Sequence, residues 1–295
     1  MKKTSGRTGR SSTSPDDAYL PDARALDAER ALRDLFSGFG SALVAFSGGV
    51  DSAYLAWIAH DVLGDRSLAV TALSESYPAH HYDLALTLAR QAGFPHEVVH
   101  TPEMERPEYR ANPVNRCYYC KDELYTVLGG LARARGLAVI VDGNNADDRG
   151  DYRPGRQAAR EAGVRSPLDE VGLDKASIRA LAHRAGLPQW DEPASACLSS
   201  RVPYEQAVTP EKLRAIEQAE TALRGLGFRG CRVRHHDDVA RLELPRADLA
   251  RAVEPEIARA IAAAVKAAGF RFVALDLEGY RTGSLNDRIP LRVIG

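Results

Sequence analysis

From residue 23 to residue 141, short apolar runs alternate with segments whose apolar positions recur every three to four residues, the pattern of strands alternating with amphipathic helices. The pattern predicts a helix over 23–39, with Leu26, Ala31, Leu32 and Leu35 along one side, and then a strand ending near 46. A helix over 53–63, a strand over 67–73, a helix over 79–92 and a strand over 96–100 follow, then a helix over about 122–135 and a strand over 137–141. This alternation implies parallel strands joined by right-handed crossovers, so the expected fold class is α/β, a Rossmann-like parallel sheet. Beyond residue 197 the order changes. Thr209 is placed to cap a helix with Pro210 in its first position, running to about 226; strands over 231–235 and 239–244, helices across 246–268 and a strand over 270–275 complete it. The expected division is a disordered tail over 1–20, an α/β domain over 21–195 and a smaller α+β domain over 196–295.

The first strand ends in Ser47-Gly48-Gly49-Val50-Asp51-Ser52, which places two glycines in a strand-to-helix turn. Glycine lets the backbone approach an anion, the two serines add hydroxyl donors, and the first N–H groups of the following helix point at the same place. There is neither a terminal Gly-Lys-Ser/Thr nor a Gly-x-Gly-x-x-Gly; the spacing resembles the pyrophosphate loop of the ATP pyrophosphatases. A tight turn without a ligand is the plainer reading, but two serines, two glycines and an aspartate serve packing poorly. Glu75, Ser76 and Tyr77 follow the second strand, and Asp142-Gly143-Asn144-Asn145-Ala146-Asp147-Asp148 follows the fourth, all at the edge where an open parallel sheet binds ligands. Asp51, Asp147 and Asp148 are candidate magnesium ligands beside nucleotide phosphates, with Asn144 a further polar contact; an Asx-rich turn capping the next helix is the alternative. Arg149, Arg153 and Arg156 add donors suited to a carboxylate or phosphate, or a solvated charged loop.

Composition narrows the class. A net charge of −1 over 295 residues argues against a dominant nucleic-acid surface, and no apolar run is long enough to span a membrane. The polar, basic N-terminal residues lack the apolar stretch of a signal peptide, so a cytoplasmic protein is expected. Four cysteines make no disulfide framework at this length. Cys117 and Cys120 form a C-x-x-C just ahead of a predicted helix, a spacing shared by metal, cluster and dithiol sites, and no second pair exists to complete a zinc ribbon. Cys197 lies among small and polar residues beside Ser200 and Arg201, as an exposed thiolate would, whereas Cys231 reads as a buried apolar residue. A pair plus a single cysteine suffices for three irons of a four-iron cluster. Arg232 and Arg234 alternate onto one face of a strand, with Glu243 on the next, either a ligand surface or a solvated sheet face; His235 and His236 are expected at the surface.

The loop at 47–52, the Asp-Gly-Asn-Asn-Ala-Asp-Asp run, Asp151-Tyr152-Arg153-Pro154-Gly155, Ala196-Cys197-Leu198-Ser199-Ser200-Arg201 and the late Gly279-Tyr280-Arg281-Thr282-Gly283-Ser284-Leu285-Asn286 together resemble the LarE family. These are ATP-dependent sulfur transferases that make the pyridinium-3,5-bisthiocarboxylic acid mononucleotide of the nickel-pincer cofactor. The resemblance implies that Ser47, Gly48, Gly49, Val50, Asp51, Ser52, Asn144, Asp147 and Arg153 bind ATP with Mg2+, and that Ser200, Arg201, Arg232, Arg234, Glu220 and Glu243 surround a small-molecule nucleotide substrate. In one branch a cysteine matching Cys197 surrenders its own sulfur; in the other a C-x-x-C joins it to hold a [4Fe-4S] cluster, and Cys117 and Cys120 place this chain with the latter. A separate sulfur donor and a homo-oligomer are also implied. Two rivals remain at this point: an iron-sulfur tRNA thiolase, and a nucleotide-binding module without chemistry, which would leave the cysteines without a task.

Overall fold

The computed structural model describes residues 19–150, 154–193 and 196–281. Helix α1 (Ala23–Phe39) starts where the Asp22 carboxylate accepts the Ala25 N–H at 2.8 Å. Its buried face is Ala25, Glu29, Leu32 and Phe36, rotated from the expected stripe: Ala31 is exposed and Leu35 half-buried. The helix turns this face to its neighbours because Glu29 is neutralised there by Arg33 and Arg184. Strand β1 (Ala42–Ala45) leads to α2 (Val50–Leu63), β2 (Ser67–Leu73), α3 (Ala79–Ala92), β3 (His96–His100), a turn of helix α4 (Pro107–Arg110), α5 (Arg116–Arg135) and β4 (Val139–Val141). The four strands form one parallel sheet in the order β3-β2-β1-β4, a Rossmann-like arrangement within a mixed α/β fold. Connections leave β1 in opposite directions toward β2 and β4, so the crevice between the carboxyl ends of β1 and β4 is the switch point where such sheets bind ligands.

Three helices that the apolar pattern did not disclose, α6 (Pro154–Glu161), α7 (Pro167–Glu170) and α8 (Lys175–Arg184), follow β4. Two predicted helices also begin earlier than expected. Helix α2 starts at Val50 because Gly49 takes the N-cap position and the Ser52 hydroxyl donates back to the Gly49 carbonyl at 3.0 Å. Helix α5 starts at Arg116, so Cys117 and Cys120 lie within its first turns, not ahead of it.

Helix α9 (Pro210–Gly225), capped by Thr209 as expected, opens the second region, with β5 (Arg232–His236), β6 (Val239–Glu243), α10 (Leu249–Ala252), α11 (Pro255–Ala267) and β7 (Phe272–Leu275). Strands β5 and β6 are antiparallel, and β7 joins β6 in parallel. Leu213, Ile216, Leu223, Phe228, Val233, Leu242, Ile261 and Val265 make its core, and Met104 and Tyr109 from the segment after β3 are buried in the same cluster. Strand β5 is covered on both sides: Arg232 and Arg234 are buried along with Val233 and His235, which removes the solvated-face alternative for the arginines and corrects the expectation of a surface His235. His235 packs on Phe270 at 5.2 Å between ring centroids.

Candidate active site

The glycine loop is locked from several sides. Gly48 has φ +70°, and a Cβ there would lie 2.6 Å from the His81 carbonyl oxygen, so only glycine fits between the loop and α3. Ser52 is buried; its hydroxyl accepts the Ser47 N–H and lies 3.1 Å from the Ser47 hydroxyl, closing the loop as a ring. Tyr77 donates to the Ser47 carbonyl at 2.9 Å, and Thr71 to the Phe46 carbonyl at 2.9 Å. Ser47 stays exposed at the sheet's edge, and Gly49 and Val50 begin α2 behind it. The loop after β4 closes on this turn through Gly143, where a Cβ would stand 3.0 Å from the Ser52 nitrogen.

In that second loop Asp142 is fully engaged, accepting from Tyr125, Asn144 and Ser166 at 2.7 Å each, and Asn144 is held against it. Asp147 accepts the Lys175 N–H at 2.9 Å, and Asp148, buried, accepts the Asn145 N–H at 3.0 Å. The Lys175 ammonium pairs with Asp51, a contact that sequence reasoning missed because nothing in the apolar pattern marks the start of α8. Burial raises the Asp51 carboxyl above its ordinary value, Lys175 opposes this and Asp148 adds to it; the second Asp51 oxygen is buried with no hydrogen-bond partner. Among the described residues no three His, Cys, Asp or Glu side chains close on a single metal ion. Arg149 and Arg156 both pair with Asp169, which occupies donors expected to face an anion. Arg153 lies outside the described residues, as do residues 282–286 of the late motif.

The Cys197 segment is anchored from both regions. Its Leu198 N–H donates to the Ser76 carbonyl at 2.8 Å, Tyr109 and Ser199 share a hydroxyl contact at 2.6 Å, and Arg116 donates to the Ser199 carbonyl at 3.0 Å. Arg201, buried, forks onto Glu220 at 2.8 and 3.0 Å and donates to the carbonyls of Ala196 and Cys197 and to Ser200, so it braces the turn that presents Cys197. Cys197 is half-buried rather than exposed. Cys197 stands near enough to both Cys117 and Cys120 to act on their thiols. Burial pushes the Cys117 and Cys120 thiols up; Arg116 opposes it at Cys117, and Glu103 adds to it at Cys120. Arg116 is itself buried and has one nitrogen without a partner. Its signal in the sequence was only its place beside Cys117. Cys231 is buried just before β5, as expected, its thiol pushed up to about 12 by burial and by Glu220.

Behind this segment Arg234 pairs with Glu243 at 2.6 Å and donates to the Ser200 carbonyl at 2.7 Å, while Arg232 stacks on Tyr280 at 5.0 Å. Burial alone would raise the Glu220 carboxyl, but Arg201, Arg232 and the Val233 N–H hold it below the ordinary range. A cleft of about 400 Å³ opens between α3, α9 and β5, lined by His80, His81, Arg201, Glu220, Arg224 and Arg232 among others. Of the residues expected around a substrate, Arg201, Glu220 and Arg232 line this cleft, whereas Arg234 and Glu243 lie in the adjoining buried network.

No family profile matches the chain. It is 46% identical over 255 residues to an uncharacterised protein of Synechocystis, covering 86% of this chain and 95% of that one. It is 39% identical over 249 residues to the pyridinium-3,5-bisthiocarboxylic acid mononucleotide synthase of Lactiplantibacillus plantarum, covering 83% and 89%. An uncharacterised protein of Methanocaldococcus jannaschii is 26% identical over 240 residues, covering 81% and 90%.

Proposed function

Because the chain belongs to the pyridinium-3,5-bisthiocarboxylic acid mononucleotide synthase (LarE) family, we propose that it uses ATP to activate a carboxylate of pyridinium-3,5-biscarboxylic acid mononucleotide and exchanges its oxygen for sulfur. One observation carries this reading. Two consecutive residues after β2 tie the glycine loop to the cysteine segment: the Ser76 carbonyl holds Leu198, and the Tyr77 hydroxyl holds Ser47. A carboxylate resists a sulfur nucleophile because oxide would have to leave, so activation and sulfur delivery must meet at one carbon.

In this reading a carboxylate oxygen attacks the α-phosphorus of ATP, the bond to the β-phosphate breaks and pyrophosphate leaves. The loop N–H groups from Ser47 to Ser52, already held in place, receive that leaving charge without further ordering. Asp51, Asp147 and Asp148 do not close on one ion by themselves; the unpartnered buried oxygen of Asp51 fits a cation, so magnesium would be held there together with phosphate oxygens of ATP, with Asp147 and Asp148 nearby. A sulfur nucleophile then displaces AMP. Cys117, Cys120 and Cys197 are the thiols that would hold a [4Fe-4S] cluster: Cys117 and Cys197 act on the buried Arg116, one nitrogen of which lacks a partner, and Cys120 is close enough to both to feel their charge. Such a cluster would supply bound sulfide as the transferable sulfur, and Arg116 and Arg201 would keep the three thiols in place.

The test separates the halves. Pyrophosphate release from ATP is measured in the presence of the biscarboxylated mononucleotide, and the thiocarboxylate by mass spectrometry. Cys117→Ala is expected to abolish the cluster's visible absorption in anaerobic protein and to abolish sulfur transfer, with pyrophosphate release retained. Loss of both activities, or no release in the wild-type protein, would sink the reading.

A further inference from the structure

His81 stands apart from the groups used above. It is 7% exposed and lines the 400 Å³ cleft, yet among the described residues neither ring nitrogen has a hydrogen-bond or ion-pair partner. Neither nitrogen is sealed in the interior, so both stay accessible at the wall of the cleft. Its ring meets only the edge of His80 at 5.5 Å. The backbone of the same residue touches the glycine loop, since the His81 carbonyl is the atom that excludes a side chain at Gly48. One residue therefore borders both the glycine loop and the cleft.

We propose that His81 is a substrate-contacting residue, whose neutral imidazole donates a hydrogen bond to an oxyanion of the pyridinium mononucleotide held in this cleft. The inference rests on the function proposed above and deepens it, naming the subsite that seats the substrate's charged end. The surroundings favour an anion. Arg201, Arg224 and Arg232 reach the cleft, and Arg232's affinity for its proton is lowered by burial and by Arg201, a crowding that a bound anion relieves. Burial, His80 and these same arginines keep His81 uncharged, at about 4, so that it is a donor without the cost of another buried charge. The cleft's volume lies in the range of small-molecule sites.

Nicotinate mononucleotide, a pyridinium riboside phosphate with one carboxylate, is the probe, titrated calorimetrically into the full-length protein. We expect His81→Phe to weaken its binding at least fivefold and His81→Asn, which keeps a neutral donor, to recover part of the loss, with ATP affinity unchanged in both. Nicotinamide mononucleotide and the phosphate-free riboside assign the oxyanion: the analogue lacking it should bind wild-type and His81→Phe protein alike. Equal binding of nicotinate mononucleotide by wild type and His81→Phe overturns this inference alone; absence of binding by wild type overturns it together with the proposed function. A parallel loss of ATP affinity would mean that the substitution disturbs Gly48, and also overturns the assignment. Should the variants fail to fold, the ring nitrogen resonances of His81 in the wild-type protein decide: they must move on saturation with the probe, and unmoved resonances refute the contact.

Discussion

A single buried histidine makes the energetics of this site measurable. His81 titrates at about 4 against an ordinary 6.5, because burial and then His80, Arg232, Arg201 and Arg224 oppose its charge. Between those values the unfolded chain binds the proton and the folded chain does not, so stability falls as the pH drops from 6.5 toward 4, by up to about 3 kcal/mol. Urea unfolding at pH 7 and pH 4.5 is expected to show a smaller acid-induced loss in His81→Phe than in wild type; equal losses would mean that His81 is protonated in the folded protein. Residues of this kind were the least legible in the sequence. The loop at 47–52 could be recognised because its glycines and serines are dictated by local backbone geometry, whereas Lys175 on Asp51 or Glu220 under Arg201 are pairings across 124 and 19 residues that composition does not encode. Arg201 and Glu220 were singled out, but the sequence could not show that they hold one another and brace the turn before Val202.

At the scale of elements, what the periodicity displayed was the parallel sheet, through the apolar runs of β1, β2 and β4, although β3 reads His-Glu-Val-Val-His and α2 is buried on most sides. It failed where burial is polar. Strand β5 carries Arg232 and Arg234 into the interior because Glu243, the Ser200 carbonyl and the Tyr280 ring receive them, and His235 because Phe270 packs on it; α5 begins six residues early under Arg116 and two cysteines. The approach of the β4 loop to α2 turns on Gly143, and under the proposed function it shapes the ATP site. A Cβ there would meet the Ser52 nitrogen at 3.0 Å and the Ser52 Cα at 3.2 Å. Gly143→Val must therefore push the two loops apart, a repacking cost of about 1–3 kcal/mol. The expected result is a KM for ATP raised about tenfold or more, with the visible absorption of anaerobically prepared protein unchanged; an unaltered KM would show that the loops move independently.

At the scale of the whole molecule, a buried polar junction lies behind the loop that follows β2. Glu103 sits at its centre, 2% exposed, accepting from the Ser76 hydroxyl at 3.0 Å and from Thr101 at 2.7 Å. Those bonds fix the peptide of Ser76, whose carbonyl holds Leu198 beside Cys197, while the next residue holds the glycine loop through Tyr77. Met104, adjacent to Glu103, is meanwhile packed in the core of the second region. Under the function proposed above, Glu103 is a positioning residue that sets the distance between the glycine loop and the Cys197 segment without hydrogen-bonding to either. Glu103→Ala removes the carboxylate acceptor of two hydroxyls, leaving Ser76 only the Ser74 hydroxyl at 3.1 Å and Thr101 only the Leu73 carbonyl at 3.5 Å, a loss of about 1–3 kcal/mol that lowers the melting temperature. A purely structural role would lower both half-reactions together in proportion to the folded fraction. A positioning role slows thiocarboxylate formation more than pyrophosphate release, so that ATP is consumed with less sulfur transferred per turnover. Glu103→Gln, which keeps one acceptor oxygen, should restore part of that coupling ratio even where it does not restore stability, and an unchanged ratio in Glu103→Ala would show that the junction holds the regions together without setting their register.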